Sequence, residues 1–253
     1  MASKTFLVAA FSFALAVGGA VHAQELANAC HASSSYDLTI APGTLLFDRA
    51  DPAPRRIELR AGKLLIDGAQ AHVNTEDSDR LVLFERELRD VLPKARSVGE
   101  RGVDLATQAV RAETAALDLT ADTQSELDHR LASHAADLKR RIAVSNSTHD
   151  WQGGAFDSYA DDVAADIVPL LAADLGTQAV SAALTGDLDA AATLRDRAAH
   201  LADGFQKRIE RRMQALRPQI QTLCPSIVRL YELQRDIRGP NGHPLDLLQI
   251  NRK

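Results

Sequence analysis

The spacing of apolar residues changes at Thr75, and that change decides which architectures this 253-residue chain can adopt. From Tyr36 to Val73 they recur at every second position or in short runs. Tyr36 to Ile40 alternates, Ile57-Glu58-Leu59 alternates, and Lys63 to Ile66 is a brief apolar run. Pro42-Gly43, Asp51-Pro52-Ala53-Pro54, Ala61-Gly62 and Asp67-Gly68 separate these runs, where hairpins need residues that accept tight-turn dihedrals. The pattern predicts an antiparallel sheet of roughly three to five strands over 36–73.

Beyond Thr75 the period is helical. Leu81, Phe84, Leu88 and Val91 share one face; Val98, Leu105, Ala109, Ala112 and Ala116 form a second stripe; Leu127, Leu131, Leu138 and Ile142 form a third. Asp77 or Ser78 is expected to cap the first helix, with a break from Leu92-Pro93 to Gly102 before the second. Ser145 to Gly154 reads as a loop or a lone strand, Pro169 as a kink or division, and Gly186-Asp187 as a helix end. A long helix is expected from Asp189 to Pro218, with Phe205 between Leu201 and Ile209 as the anchor of its core. A last helix carries Ile220, Cys224, Ile227, Tyr231 and Ile237 and stops at Gly239-Pro240, and Leu245 to Leu248 packs back.

The expected fold class is α+β, predominantly α, with a small N-terminal antiparallel sheet packed on a bundle of amphipathic helices. No linker or repeat divides the chain after its leader, so residues 24–253 read as one domain, strand-rich over 36–73 and helical over 77–237. The helices, rather than the sheet, are expected to hold it. Hydrophobic residues at 45% and charged residues at 25% exclude a disordered chain and a membrane bundle. Aromatic residues are only 4%, which favours closely packed helices over an aromatic-lined ligand pocket.

The first 23 residues have the form of an export signal. Lys4 precedes an uncharged run from Thr5 to Gln24, and Val21-His22-Ala23 supplies the small residues of a signal-peptidase cut between Ala23 and Gln24. A retained membrane anchor and a lipoprotein built on Cys30 are the alternatives. Cleavage leaves 28 basic against 34 acidic residues, a net charge of -6, which does not favour nucleic acid as a partner. The longest uncharged stretch after the leader is Leu175 to Gly186, too short to span a bilayer. The expectation is a soluble periplasmic chain.

Cys30 and Cys224 are the two cysteines of the chain. In an oxidising compartment a disulfide between them is expected; the alternative is a buried Cys224 and a free Cys30 thiol. Cys-x-x-Cys is absent, which argues against redox catalysis.

Other candidate sites are weak. His129 and His134 lie about 140° apart around a helix, poor metal partners, and read as solvated residues. Asp162 and Asp166 share a face at i, i+4 beside Asp161 and can be imagined holding a hard cation; dipole-complementing carboxylates are the plainer reading. Ser145, Ser147, His149 and Asp150 crowd one loop, but residues so close in sequence seldom align as nucleophile, base and orienter, and no Gly-x-Ser-x-Gly elbow is present. Asn146-Ser147-Thr148 matches a glycosylation acceptor, without meaning in a bacterial host. Lys207, Arg208, Arg211, Arg212 and Arg217 form a basic band that can meet lipid or a partner's carboxylates, or simply pair with nearby acids such as Glu210.

Gly62-Lys-Leu-Leu-Ile-Asp-Gly68, Leu92-Pro93 with Gly102-Val-Asp-Leu-Ala106, Arg208-Ile-Glu-Arg-Arg-Met213 leading to Leu223-Cys224, and Leu245-Asp-Leu-Leu248 together resemble the YggN-like family of exported bacterial proteins, domain-of-unknown-function family 2884. The likeness extends over nearly the whole chain after the leader, though its motifs are short and structural. It implies a cysteine near the mature start and one in the C-terminal helix, matching Cys30 and Cys224. The chain departs from the pattern where Tyr231-Glu-Leu-Gln234 runs into a Pro/Gly turn. No activity comes with the resemblance. Two classes of function therefore stand: a non-enzymatic envelope or protein-interaction module, its partner another envelope protein and with no cofactor, or a periplasmic hydrolase or metal-dependent enzyme assembled from distant residues.

Overall fold

The computed structural model describes residues 29–151, 155–200, 211–239 and 242–250; side chains are described for these except 155–157, 160 and 198–200. The sheet expected from the two-residue period is present. β1 (Ala32–Ser33) stands apart from a meander of β2 (Asp37–Ala41), β3 (Thr44–Asp48), β4 (Arg56–Arg60), β5 (Lys63–Ile66) and β6 (Ala69–Ala71), each antiparallel to the next. The registers align the apolar positions in rungs: Leu45 faces Leu59, which faces Leu64, and Phe47 faces Ile57, which faces Ile66. Alternation puts both rungs on one face, where Leu45, Ile57, Leu59 and Leu64 are fully buried. A terminal strand, β7 (Gln249–Ile250), returns to pair with β1.

The helices are α1 (Thr75–Thr114), α2 (Ala121–Val144), α3 (Ala155–Leu184), α4 (Leu188–His200), α5 (Arg217–Gln221) and α6 (Cys224–Gln234). The fold is thus predominantly α with a small antiparallel sheet near the N-terminus packed against helices. Several local expectations need correction. The cap of α1 is Asn74, whose Oδ1 accepts from the Asp77 N–H at 2.8 Å while its side-chain amide donates to the Asp77 carboxylate at 3.0 Å. Neither Pro93 nor Pro169 divides its helix. Each removes one N–H from a long ladder, and buried side chains before and after it, Phe84 and Val103 in α1, Ile167 and Leu171 in α3, outweigh that loss. In the second stripe Ala109 is buried, but Ala112 and Ala116 are exposed.

The expected last helix is two. α5 already contains Pro218, and α6 begins anew with Pro225 in its first turn, where a missing N–H costs nothing. The long helix expected up to Pro218 is seen as α4 up to His200 and as a helical segment over 211–216; Phe205 and residues 201–210 lie outside the described residues. Gly186, at φ +84°, closes α3 with the Asp187 N–H donating to the Ala182 carbonyl at 2.9 Å, as its Gly-Asp pair suggests.

Two compact units divide the chain, each gathered from separate stretches. One comprises the described parts of 1–97, 144–157 and 218–253; the other comprises those of 98–143 and 158–217. In the first, the sheet face meets Leu81 and Phe84 of α1, Leu230 of α6, and Ile237, Leu245 and Leu247 of the returning tail. Strands supply six of these buried side chains and helices three, so the sheet carries more of this core than the sequence suggests. Gly62 fixes the approach of sheet to helix: at φ +77°, a Cβ there would sit 2.7 Å from the Ser78 hydroxyl oxygen. The Glu85 carboxylate accepts from the Ala61 and Gly62 amides at the same turn.

In the second unit Leu127 and Leu131 of α2 pack with Ile167 and Leu171 of α3. Between Asp161 and Leu184 α3 is long and apolar enough, by length and composition, to cross a membrane, with a mean hydropathy of 1.5 and 22% of that window buried. The buried carboxylate of Asp174 lies within that stretch.

Candidate functional site

The Ser145–Trp151 segment carries a cluster of reactive side chains whose geometry the sheet sets. The two-residue turn Pro42-Gly43 makes Ala41 and Thr44 a hydrogen-bonded pair, so the N–H groups of Leu38 and Ile40 point outward from edge strand β2. The segment covers that edge. Ile40 N–H donates to the Asn146 carbonyl at 2.8 Å, Leu38 N–H donates to Thr148 Oγ1 at 2.9 Å, and Thr39 and Ser147 form an antiparallel bridge with their hydroxyls 2.8 Å apart. Residues 148–151 then turn as a 3-10 helix.

His149 reaches from this turn across the sheet surface. Its Nε2 lies 3.0 Å from Asp48 Oδ2 and its Nδ1 lies 3.5 Å from Asp37 Oδ2. The hydrogen bond to Asp48, together with the charges of Asp37, Asp48 and Asp150, holds the imidazole pKa above its ordinary value of 6.5. The serines face elsewhere. Ser147 bonds to Thr39, and Ser145 Oγ donates to the Asp150 carboxylate at 2.9 Å and accepts from Trp151 Nε1 at 2.7 Å. Ser145, Ser147, His149 and Asp150 are therefore neighbours, but the imidazole is joined to two carboxylates and to no serine hydroxyl, which is not the geometry of nucleophile activation.

In the second unit Asp166 is drawn to α2: Arg130 donates to its Oδ1 at 2.7 Å, and His134 Nε2 lies 2.9 Å from its Oδ2. His129 is exposed as expected, whereas His134 is partly buried in this contact, with the Tyr159 hydroxyl donating to its carbonyl. Asp161 and Asp162 stay exposed, and no group of three potential metal ligands occurs among the described residues. Of the basic band, Arg212 pairs with Glu113 at 3.3 Å; Lys207 and Arg208 lie outside the described residues.

Asp174 is a heavily bonded carboxylate that sequence reasoning missed. It accepts from the Thr120 hydroxyl at 2.6 Å, the Thr120 N–H at 3.1 Å, the Thr123 hydroxyl at 2.9 Å and the Gln178 amide at 2.7 Å. Burial by itself raises its pKa, but the hydrogen bonds from Thr120, Thr123 and Gln178 outweigh that and hold it below 3.8. A depressed carboxylate lends stability that is whole above its unfolded pKa and is lost as pH falls through the folded one. Thermal melts between roughly pH 2 and 5 should show a loss of stability that Asp174→Asn makes smaller, with that variant about 1–3 kcal/mol less stable at neutral pH. An unchanged acid limb in the variant would refute this role.

Cys30 and Cys224 are joined, with sulfurs 2.03 Å and Cα atoms 5.1 Å apart. The bond ties the segment before β1 to the first residue of α6, and it is compatible with an exported chain. The model of one protein family, described as "Protein of unknown function (DUF2884)", matches residues 30–248, most of the chain and both half-cystines.

The chain belongs to the DUF2884 family. No curated protein and no solved structure matches it. The match spans every residue of the His149 cluster, from Asp37 to Trp151. Asp37 and Asp48 carried no sequence signal, since His149 and Thr148 in this DUF2884 chain stand about 100 to 110 positions away, and of the donors to Asp174 only Gln178 is near in sequence, Thr120 and Thr123 being 54 and 51 positions away.

Proposed function

We propose that this DUF2884 chain is an exported, non-enzymatic interaction module of the bacterial envelope, made with residues 1–23 as a cleaved signal and working in the periplasm. The observation that carries the reading is the Cys30–Cys224 bond, which belongs to an oxidising compartment and stands just beyond a leader of export form. The non-enzymatic part rests on the His149 cluster, whose imidazole is committed to carboxylates.

Expression of the full chain in a Gram-negative host, followed by periplasmic extraction and intact-mass analysis, tests export. The expected species begins at Gln24 and is about 2 Da lighter than its dithiol form. A retained Met1, a lipidated Cys30, or two thiols that alkylate in the native protein would overturn it. Crosslinked pull-downs compare the natural chain with Arg208→Glu, Arg211→Glu and Arg212→Glu combined; a specific envelope partner lost in the variant supports the module. Turnover of a substrate abolished by His149→Ala would replace it with an enzyme.

A further inference from the structure

The register of the sheet places Asp37 directly opposite Asp48, two carboxylates on adjacent strands at a position where like charges repel. His149 is the group set between them, with one ring nitrogen toward each. A protonated imidazole has two N–H donors and a positive charge, so it hydrogen-bonds to Asp48 and attracts Asp37 as an ion pair; a neutral one has a single N–H and no charge. The segment is also held by contacts that do not involve the imidazole, among them the Thr148 hydroxyl donating to Asp37 Oδ1 at 3.1 Å. Arg96 of α1 donates to the Ser145 carbonyl, and Ser145, Asp150 and Trp151 are bonded among themselves. The charged groups facing the imidazole are Asp37 from β2, Asp48 from β3 and Asp150 from its own turn.

From this geometry we infer that protonation of His149 controls how firmly the Asn146–Trp151 segment covers the edge of β2. With the imidazole protonated, the turn is clamped to β2 and β3 and the outward amides of Leu38 and Ile40 are capped by Thr148 and Asn146. Loss of the proton removes the imidazole's positive charge and one of its two N–H donors from between Asp37 and Asp48. The turn then loosens about its Arg96 anchor, and the edge of β2 offers its amides to solvent or to another extended segment. The bridge between Thr39 and Ser147 already shows that this edge accepts an extended backbone in antiparallel register. The sign follows from a raised histidine pKa: the clamp is complete below the unfolded value and is lost as pH rises through the folded one.

Amide exchange by NMR tests this independently of export or partner. Protection factors of Leu38 and Ile40, corrected for intrinsic exchange, should fall severalfold between roughly pH 6 and 9, while those of Ile57 and Leu59 hold. The His149 ring protons should titrate with a midpoint above 6.5. In His149→Gln the Leu38 and Ile40 protection should be low and flat across the range, and Asp48→Asn should lower the histidine midpoint. A midpoint at or below 6.5, flat protection in the natural chain, or the same fall in His149→Gln would each overturn the inference. If His149→Gln does not fold, Asp48→Asn and the natural chain's own profile still decide it.

Discussion

Replacing Cys30 and Cys224 by serine together should lower the unfolding free energy by about 5 kcal/mol, the largest single effect expected in this chain. The two residues are 194 positions apart, so the cross-link forbids most of the extended conformations open to the unfolded chain. Local structure adds to this. Cys224 begins α6, whose Ile227 and Leu230 are buried and whose Gln234 accepts from the Leu247 N–H at 2.9 Å and donates to the Leu248 carbonyl at 2.6 Å. Urea titrations of the oxidised chain and the double-serine variant, followed by circular dichroism, give the comparison. A midpoint unchanged within error would show that the bond adds no stability.

Phe84→Ala should cost about 3–5 kcal/mol. Its ring is 2% exposed, lies 6.1 Å from that of Phe47, and stands where α1 meets the sheet, so truncation leaves a cavity lined by strands as well as helix. Leu184→Ala, at a side chain 83% exposed, should change stability by less than about 0.5 kcal/mol. Denaturant melts of the pair read this directly, and a harmless Phe84→Ala would mean that the sheet and α1 do not share a core. The Phe84 variant also weighs the sheet against the helices, since its ring touches both.

Much of the architecture was legible because burial follows a period. Alternation at 36–40 and 57–59 and the apolar run at 63–66 placed three of the strands, with Ile57, Leu59 and Leu64 on the inner face, while the strands at Thr44–Asp48 and Ala69–Ala71, with Leu45 and Phe47, emerged only in the structure. The spacing of Leu81, Phe84, Leu127 and Leu131 placed helices whose buried sides are those same residues. Turn chemistry was also local: Gly43, Gly62, Gly68 and Gly186 all adopt the positive φ that their neighbours suggested. Prolines misled for an equally physical reason. A sequence shows the missing N–H of Pro93 and Pro169, while the contacts that keep those helices whole come from side chains elsewhere in the chain.

The cluster around His149 was half legible. Its loop residues were adjacent in sequence and drew attention as a possible triad, yet their chemistry depends on Asp37 and Asp48, about 100 positions earlier. Asp174 was invisible for the same reason, because apart from Gln178, four positions on, its donors Thr120 and Thr123 lie 54 and 51 positions away, in the turn before α2 and in its first residues.

By itself, then, the sequence determined what depends on near neighbours: a sheet followed by helices, the turns between strands, a leader of export form, and two cysteines suited to one another. Tertiary structure alone decided which carboxylates meet which donors, which prolines are tolerated, and what covers the edge of β2. These depend on pairings between distant segments, whose geometry is set by backbone register and core packing and has no counterpart in local spacing.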